Sequence, residues 1–441
     1  MTLDQKAVTS DQKMGDAKTG DRGTGDQNHG HSGEAGYGAP TGIYGPVTDW
    51  ATDLDHADPA YNPQAHEIWD ELRTSGCPVA HSDRYGGMWA PLTAELVREV
   101  AYDTDNFTSR SVVVSTSPIE AVAPIGGAPP ITSDPPFHQL ARRLLLPPFA
   151  PKQIEPWEPE VRKLCRRRLD DMGDITAGET VIDAAVQYAQ HIPVNVIARM
   201  LGLPVEDDEQ FRTFVHNSLE GVNLHPDERR KNFEQLDAYL DVHIERHRQE
   251  PQDDLISYLL DVELAGQKLS PEHVRGSIVL LLLAGIDTTW SAIGSSIWHL
   301  ALNPQDRRRL VAEPELMPTA IEELLRAYAP VTMARMVAHD HDFHGCPMKT
   351  DEWVLLPFPA ANRDPALFDR ADEVVIDRLE NRHAAFGLGI HRCLGSNLAR
   401  LEVLVAVEEF LVRFPDFELA GPVRWSVGQI RGPRELPVRI L

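Results

Sequence analysis

Residues 384–400, AAFGLGIHRCLGSNLAR, set one cysteine, Cys393, among three glycines, one histidine and two arginines. No cysteine nearby could pair with it in a disulfide. Four chemistries compete for such a thiol. A nucleophile needs a base to lower its pKa, and His391 two residues away is the only neighbour of that kind. A zinc site needs further Cys or His ligands, and the loop has none. A dinucleotide fingerprint needs GxGxxG after a strand, and FGLGIH departs from that spacing. An axial thiolate for heme iron needs one cysteine and a backbone close to the macrocycle, which glycine permits. Donors aimed at the sulfur would then stabilise the thiolate.

A second group lies in SPEHVRGSIVLLLLAGIDTTWSAIGSSIWHLALNP, where Gly285, Asp287, Thr288 and Thr289 interrupt a run of leucines. A structural reading has Thr288 bonding back to a carbonyl. A functional reading has Gly285 letting the backbone part from its hydrogen-bond ladder, opening a groove beside which Asp287 and Thr288 pass protons. An ionised carboxylate there is costly without partners, which favours the functional reading.

Other candidates are scattered. Glu323 and Arg326 share a helix face at i, i+3, and their apolar neighbours predict a buried, structural ion pair. Arg335 is the only cation in the strand-like VTMARMVAHD, and His138 and Arg142 form an i, i+4 pair. His243 and His247 are spaced like metal ligands but lack the HExxH glutamate. They read as solvated surface, as do His339, His341 and His344. Arg110 could meet a carboxylate or merely cap a turn.

These groups must be held by a mainly α chain with minor β. Apolar residues recur at helical spacing over 138–146, 155–172, 182–202, 228–249, 271–302, 316–328 and 396–414. Short β-like runs occupy 331–338, 352–357 and 435–441. Ser270 and Pro271 predict the start of the longest helix as N-cap and first residue. Being apolar on nearly every face, that helix must run through the interior. Residues 1–42 carry almost no large apolar side chains and are expected to be a disordered Gly/Asp-rich tail. Residues 43–441 form one large domain, and the Pro/Gly-rich 104–137 is an ordered loop of functional type.

The net charge of −25 argues against nucleic acid and anionic membranes. Four widely spaced cysteines argue against a disulfide framework. No signal peptide is expected at the N-terminus. The longest apolar run, 277–286, is shorter than the ~20 residues of a membrane span. A cytoplasmic protein without a membrane anchor is the expectation.

Residues 386–395, FGLGIHRCLG, resemble the heme-binding loop of the cytochrome P-450 family, FGxGxHxCxG, at every defined position. AGIDTT (284–289) is similar to its oxygen-activating helix, Glu323–Arg326 to its ExxR motif, HQLAR (138–142) to its heme contact, and ANRDP (361–365) to its turn before the loop. The resemblance covers 43–441, is of the soluble bacterial type, and implies a single triangular α-rich domain with small sheets. It implies heme b ligated by Cys393, with dioxygen as co-substrate. Ala284, Gly285, Phe386, Gly387 and Gly395 would contact the macrocycle, and His138, Arg142, Arg335 and His391 its propionates. Asp287 and Thr288 would deliver protons, and Glu323 and Arg326 would be structural.

The implied activity is monooxygenation: one oxygen atom enters a small to medium hydrophobic substrate by hydroxylation or O-dealkylation. Leu280, Leu283, Ala284, Val331, Met333, Ile430 and part of 104–130 would line the pocket. The alternatives are a peroxide-driven peroxygenase and a non-catalytic heme sensor. No flavin or iron–sulfur domain is expected after Cys393. Electrons would therefore come from a ferredoxin or flavodoxin with an NAD(P)H-dependent reductase, docked near Arg143 and Arg392. A monomer is expected.

Overall fold

A long apolar helix cannot sit at a surface, and the rest of the chain is arranged around Pro271–Leu302. The structure, a computed structural model, describes residues 44–116, 127–221 and 226–441. All of these fall within a single compact unit. The expected tail and residues 117–126 of the long loop lie outside the described residues.

The central helix begins as its sequence requires. Ser270 accepts a hydrogen bond from the His273 amide at 3.2 Å, and Pro271 occupies the first turn, where its missing N–H costs nothing. Against it pack His191–Leu201, Asp208–Leu219, Met317–Ala327 and Ser396–Arg413. By length and apolarity the helix could cross a membrane, yet 67% of its most apolar window is buried inside the protein. Its hydrophobicity is spent on the core.

The expected helices appear at Phe137–Leu145, Glu158–Asp170, Pro226–Gln249, Pro271–Leu302, Met317–Ala327 and Ser396–Arg413. The expected helix over 182–202 is corrected. Val181–Asp183 pairs as a strand with Pro437–Ile440, Ile182 opposite Val438, and the regular helix starts only at His191. The Asp183 carboxylate causes the change of direction. It accepts from the amides of Ala185, Val186 and Leu436, satisfying donors at the bend.

A five-stranded sheet runs in the order Val79–Ser82, Met88–Pro91, Trp353–Pro357, Thr332–Val337, Phe107–Thr108. Its second and third strands are parallel and the other pairs antiparallel. Side chains alternate along a strand, so Val331, Met333 and Arg335 share one face of the Thr332–Val337 segment. Val331 also bridges to Ile430, which brings the C-terminal region to the same place.

Candidate active site

The Cys393 loop enters on a short 3-10 turn, Gly389–His391, and leaves into the helix Ser396–Arg413. Gly389 has φ +65° and no room for a Cβ against the Ala101 carbonyl, so only glycine fits. The Cys393 amide donates to the Phe386 carbonyl at 2.7 Å, closing the loop around the sulfur. Burial raises the thiol pKa, whereas the Gly395 amide and the guanidinium groups of Arg142, Arg392 and Arg400 lower it. Arg142 donates to the Arg392 carbonyl at 2.5 Å, and Arg400 lies over the Phe386 ring at 4.2 Å.

Around this loop stands a group of basic side chains short of acidic partners. His138 is 1% exposed, neither of its ring nitrogens has a partner, and its ring is 4.4 Å from that of His391. The His391 Nε2 meets Ser109 Oγ at 2.9 Å. Burial, then Arg335, His138 and Arg142, push the His391 pKa down to about 2. Arg335 is buried, donates to the Ala334 carbonyl at 2.8 Å, and is pushed down to about 10 by burial. Asp134, the carboxylate that acts on His138 and Arg335, already accepts from Thr108 and from the Ser109 amide. Burying the Arg335 guanidinium in this way is expensive unless an anionic partner completes the cluster. The four predicted propionate contacts, His138, Arg142, Arg335 and His391, are thus electrostatically coupled and suit a dianionic group.

The central helix supplies a second surface. Most of its residues are buried, but Leu280, Leu283 and Thr288 are partly exposed and Ala284 is exposed. Their spacing of three and four places them on one face. Val331 and Met333 are likewise half-buried, whereas Ile430 is buried. Gly285 does not interrupt the helix, correcting the expected break. It serves packing instead, because a Cβ there would lie 3.2 Å from Ile197 Cγ1. Thr288 Oγ1 donates to the Ala284 carbonyl at 2.8 Å.

Asp287 is 2% exposed and meets a partner from far along the chain. Arg434 Nη2 stands 2.6 Å from Asp287 Oδ1, although out of line for a hydrogen bond. Arg434 Nε donates to Glu220 Oε1 at 2.5 Å. Burial pushes the Asp287 carboxyl up, against the pull of Arg434; Glu220 is held low, Arg434 overcoming its burial.

Glu323 and Arg326 are fully buried and joined by two bonds of 2.8 Å. Arg326 also donates to the carbonyls of Asn362, Ala371 and Glu373, and Glu323 accepts from the Val375 amide, Arg378 and Asn381. The pair therefore braces the turn that precedes the Cys393 loop. Asn362 completes the link by accepting from the Ala384 amide at 2.6 Å.

The sequence profile of the family described as Cytochrome P450 matches residues 92–420. The chain belongs to the cytochrome P450 family. Among its relatives, the mycinamicin IV hydroxylase/epoxidase of Micromonospora griseorubida is 36% identical over 311 residues, 69% of this chain and 77% of that protein. The vitamin D3 dihydroxylase of Streptomyces griseolus is 32% identical over 410 residues, 89% and 100% of the two chains. The solved P450 of the bacillaene polyketide synthase of Bacillus subtilis superposes with a TM-score of 0.79 at 28% identity, covering 88% of this chain and 99% of that one. This P450 is therefore an oxygen-incorporating oxidoreductase of heme-thiolate type, mainly α with small sheets.

Other readings need revision. His247 is not solvated: it is 1% exposed and lies 3.0 Å from Asp254. Arg110 is paired with Asp351 at the surface. Arg434 and Glu220 were not legible as site residues, because their motifs are unremarkable and their contacts span 147 and 214 positions.

Proposed function

We propose that this P450 binds heme b through the Cys393 thiolate and hydroxylates a neutral, hydrophobic organic substrate of natural-product type. The single observation that carries the cofactor assignment is the basic group formed by buried His138 and Arg335 with His391, two residues from Cys393. Arg142 joins them in holding the propionates. Ala284, Phe386, Gly387 and Gly395 would face the macrocycle, and Gly285 would hold that stretch of helix against Ile197. Bound heme supplies dioxygen activation, which thiolate donation favours.

The chain's own residues bind, orient and protonate. Leu280, Leu283, Val331, Met333 and Ile430 offer an apolar lining that excludes water from the substrate. Relatives are named for mycinamicin IV and vitamin D3, and a P450 of Bacillus megaterium is solved with testosterone at 30% identity and a TM-score of 0.77. Those names support a bulky apolar substrate. Thr288, which donates to the Ala284 carbonyl, would turn its hydroxyl to orient the reacting oxygen, and Asp287 would hold the proton for delivery. The protein works in the cytoplasm as a monomer. Electrons come from a ferredoxin or flavodoxin and an NAD(P)H-dependent reductase. An acidic partner fits the exposed Phe137, Leu140 and Leu146 with Arg143 and Arg392.

The carbon monoxide difference spectrum of the reduced protein tests the ligand. A thiolate-type Soret band is expected, and Cys393→Ala should abolish it; retention of the band would sink the assignment. Product formation with dioxygen and a reductase chain then separates a monooxygenase from a sensor. Turnover with peroxide alone would favour a peroxygenase.

A further inference from the structure

Arg434 is shared between two carboxylates from different elements. It belongs to the strand Pro433–Glu435, which crosses the central helix where Gly432 leaves no room for a Cβ against Ser291. From there its guanidinium reaches Asp287 at 2.6 Å, Glu220 at 2.5 Å and Ser291 Oγ at 3.1 Å, and lies 4.3 Å above the Trp290 ring. Glu220 follows the helix Asp208–Leu219 and also accepts from the Val427 amide at 3.1 Å. Its Oε1 is 3.5 Å from Nδ1 of His216, whose side chain is 24% exposed. Asp287, Arg434 and Glu220 are all buried, so His216 is the member of the group nearest to solvent. The charged groups that face Asp287 thus come from the C-terminal strand and from the end of Asp208–Leu219.

One guanidinium cannot neutralise two buried carboxylates. His216 stands beside Glu220 rather than Asp287, so the carboxylate left without a second positive neighbour at low dielectric is Asp287, and a proton retained by the group falls there. Glu220 has the in-line bond to Arg434, a backbone amide and His216, while Asp287 has only the off-line contact. We infer that Arg434 and Glu220 are positioning residues for Asp287: Arg434 fixes where its carboxyl points, and Glu220, by competing for the same guanidinium, leaves the proton on Asp287. This rests on the reading of Asp287 as the proton donor. It adds that the donor's readiness is set outside the central helix. Movement of Asp208–Leu219 that withdrew Glu220 would hand Arg434 to Asp287 and leave Asp287 ionised.

The test uses the holoenzyme and two readouts. The first is the infrared carbonyl band of the protonated Asp287 carboxyl, assigned by its loss in Asp287→Asn and followed against pH. Glu220→Gln should move its midpoint to lower pH, because a negative neighbour is removed and Arg434 is released. Arg434→Gln should move it to higher pH, and Arg434→Lys, which keeps the charge, should restore most of the shift. An unchanged midpoint in Glu220→Gln, or identical behaviour of the two Arg434 variants, would overturn the inference. The second readout is product formed per dioxygen consumed. Glu220→Gln should lower it several-fold near neutral pH with recovery in acid, and should add nothing to Asp287→Asn. If Asp287→Asn keeps wild-type coupling, the donor reading fails, while the infrared titration still decides the electrostatic one.

Discussion

Thr288 spends the resting state bonded to its own helix, at 2.8 Å from the Ala284 carbonyl. A hydroxyl satisfied in this way contributes little net stability, because the helix carbonyl it caps already has a backbone partner. Thr288→Ala should therefore fold as the wild type does, with a melting temperature within a few degrees. Its cost should fall on the chemistry. Product formed per dioxygen consumed should drop by about a hundredfold, the low end of general acid–base effects. Equal product yields in the two proteins would remove Thr288 from the reaction. At this scale the Cys393 loop was legible because it is contiguous and two of its glycines, Gly387 and Gly389, take positive φ. Arg434 was not legible, since no local spacing reveals a contact made by another element.

At the scale of elements, the bidentate pair Glu323–Arg326 acts as a brace rather than a catalyst. Each partner is fully buried and satisfies backbone groups in the 362–375 turn, so removing one strands a charge as well as three or more hydrogen bonds. Arg326→Ala should cost about 3–5 kcal/mol in denaturant unfolding and loosen the cofactor. A loss below about 1 kcal/mol would show that the turn stands without the pair. The central helix was readable end to end, because its cap, its proline and its continuous apolarity agree. The span 182–202 was misread for a physical reason. Val181 and Ile182 fit a strand as well as a helix, and the pairing that decides between them is with Pro437–Ile440, at the far end of the chain.

Across the whole molecule, stability must depend on pH through carboxyl groups held out of water. Glu402, on the helix that follows the Cys393 loop, is 2% exposed, and its Oε2 has no hydrogen-bond partner. Burial raises its pKa well above the usual glutamate value of 4.5. Above pH 4.5 the unfolded chain has lost this proton while the folded protein keeps it, so stability falls as pH rises toward the folded value. Glu402→Gln removes that penalty. The variant should match the wild type near pH 4 and become progressively more stable than it toward pH 8, as read from urea midpoints; parallel curves would refute this. A different consequence follows from His138, Arg335 and His391. They come from three distant stretches of sequence, and the Arg335 guanidinium is buried against the Ala334 carbonyl. An anion bound among them would tie those stretches together, so occupancy of the cofactor site should also set how firmly that half of the molecule holds its fold.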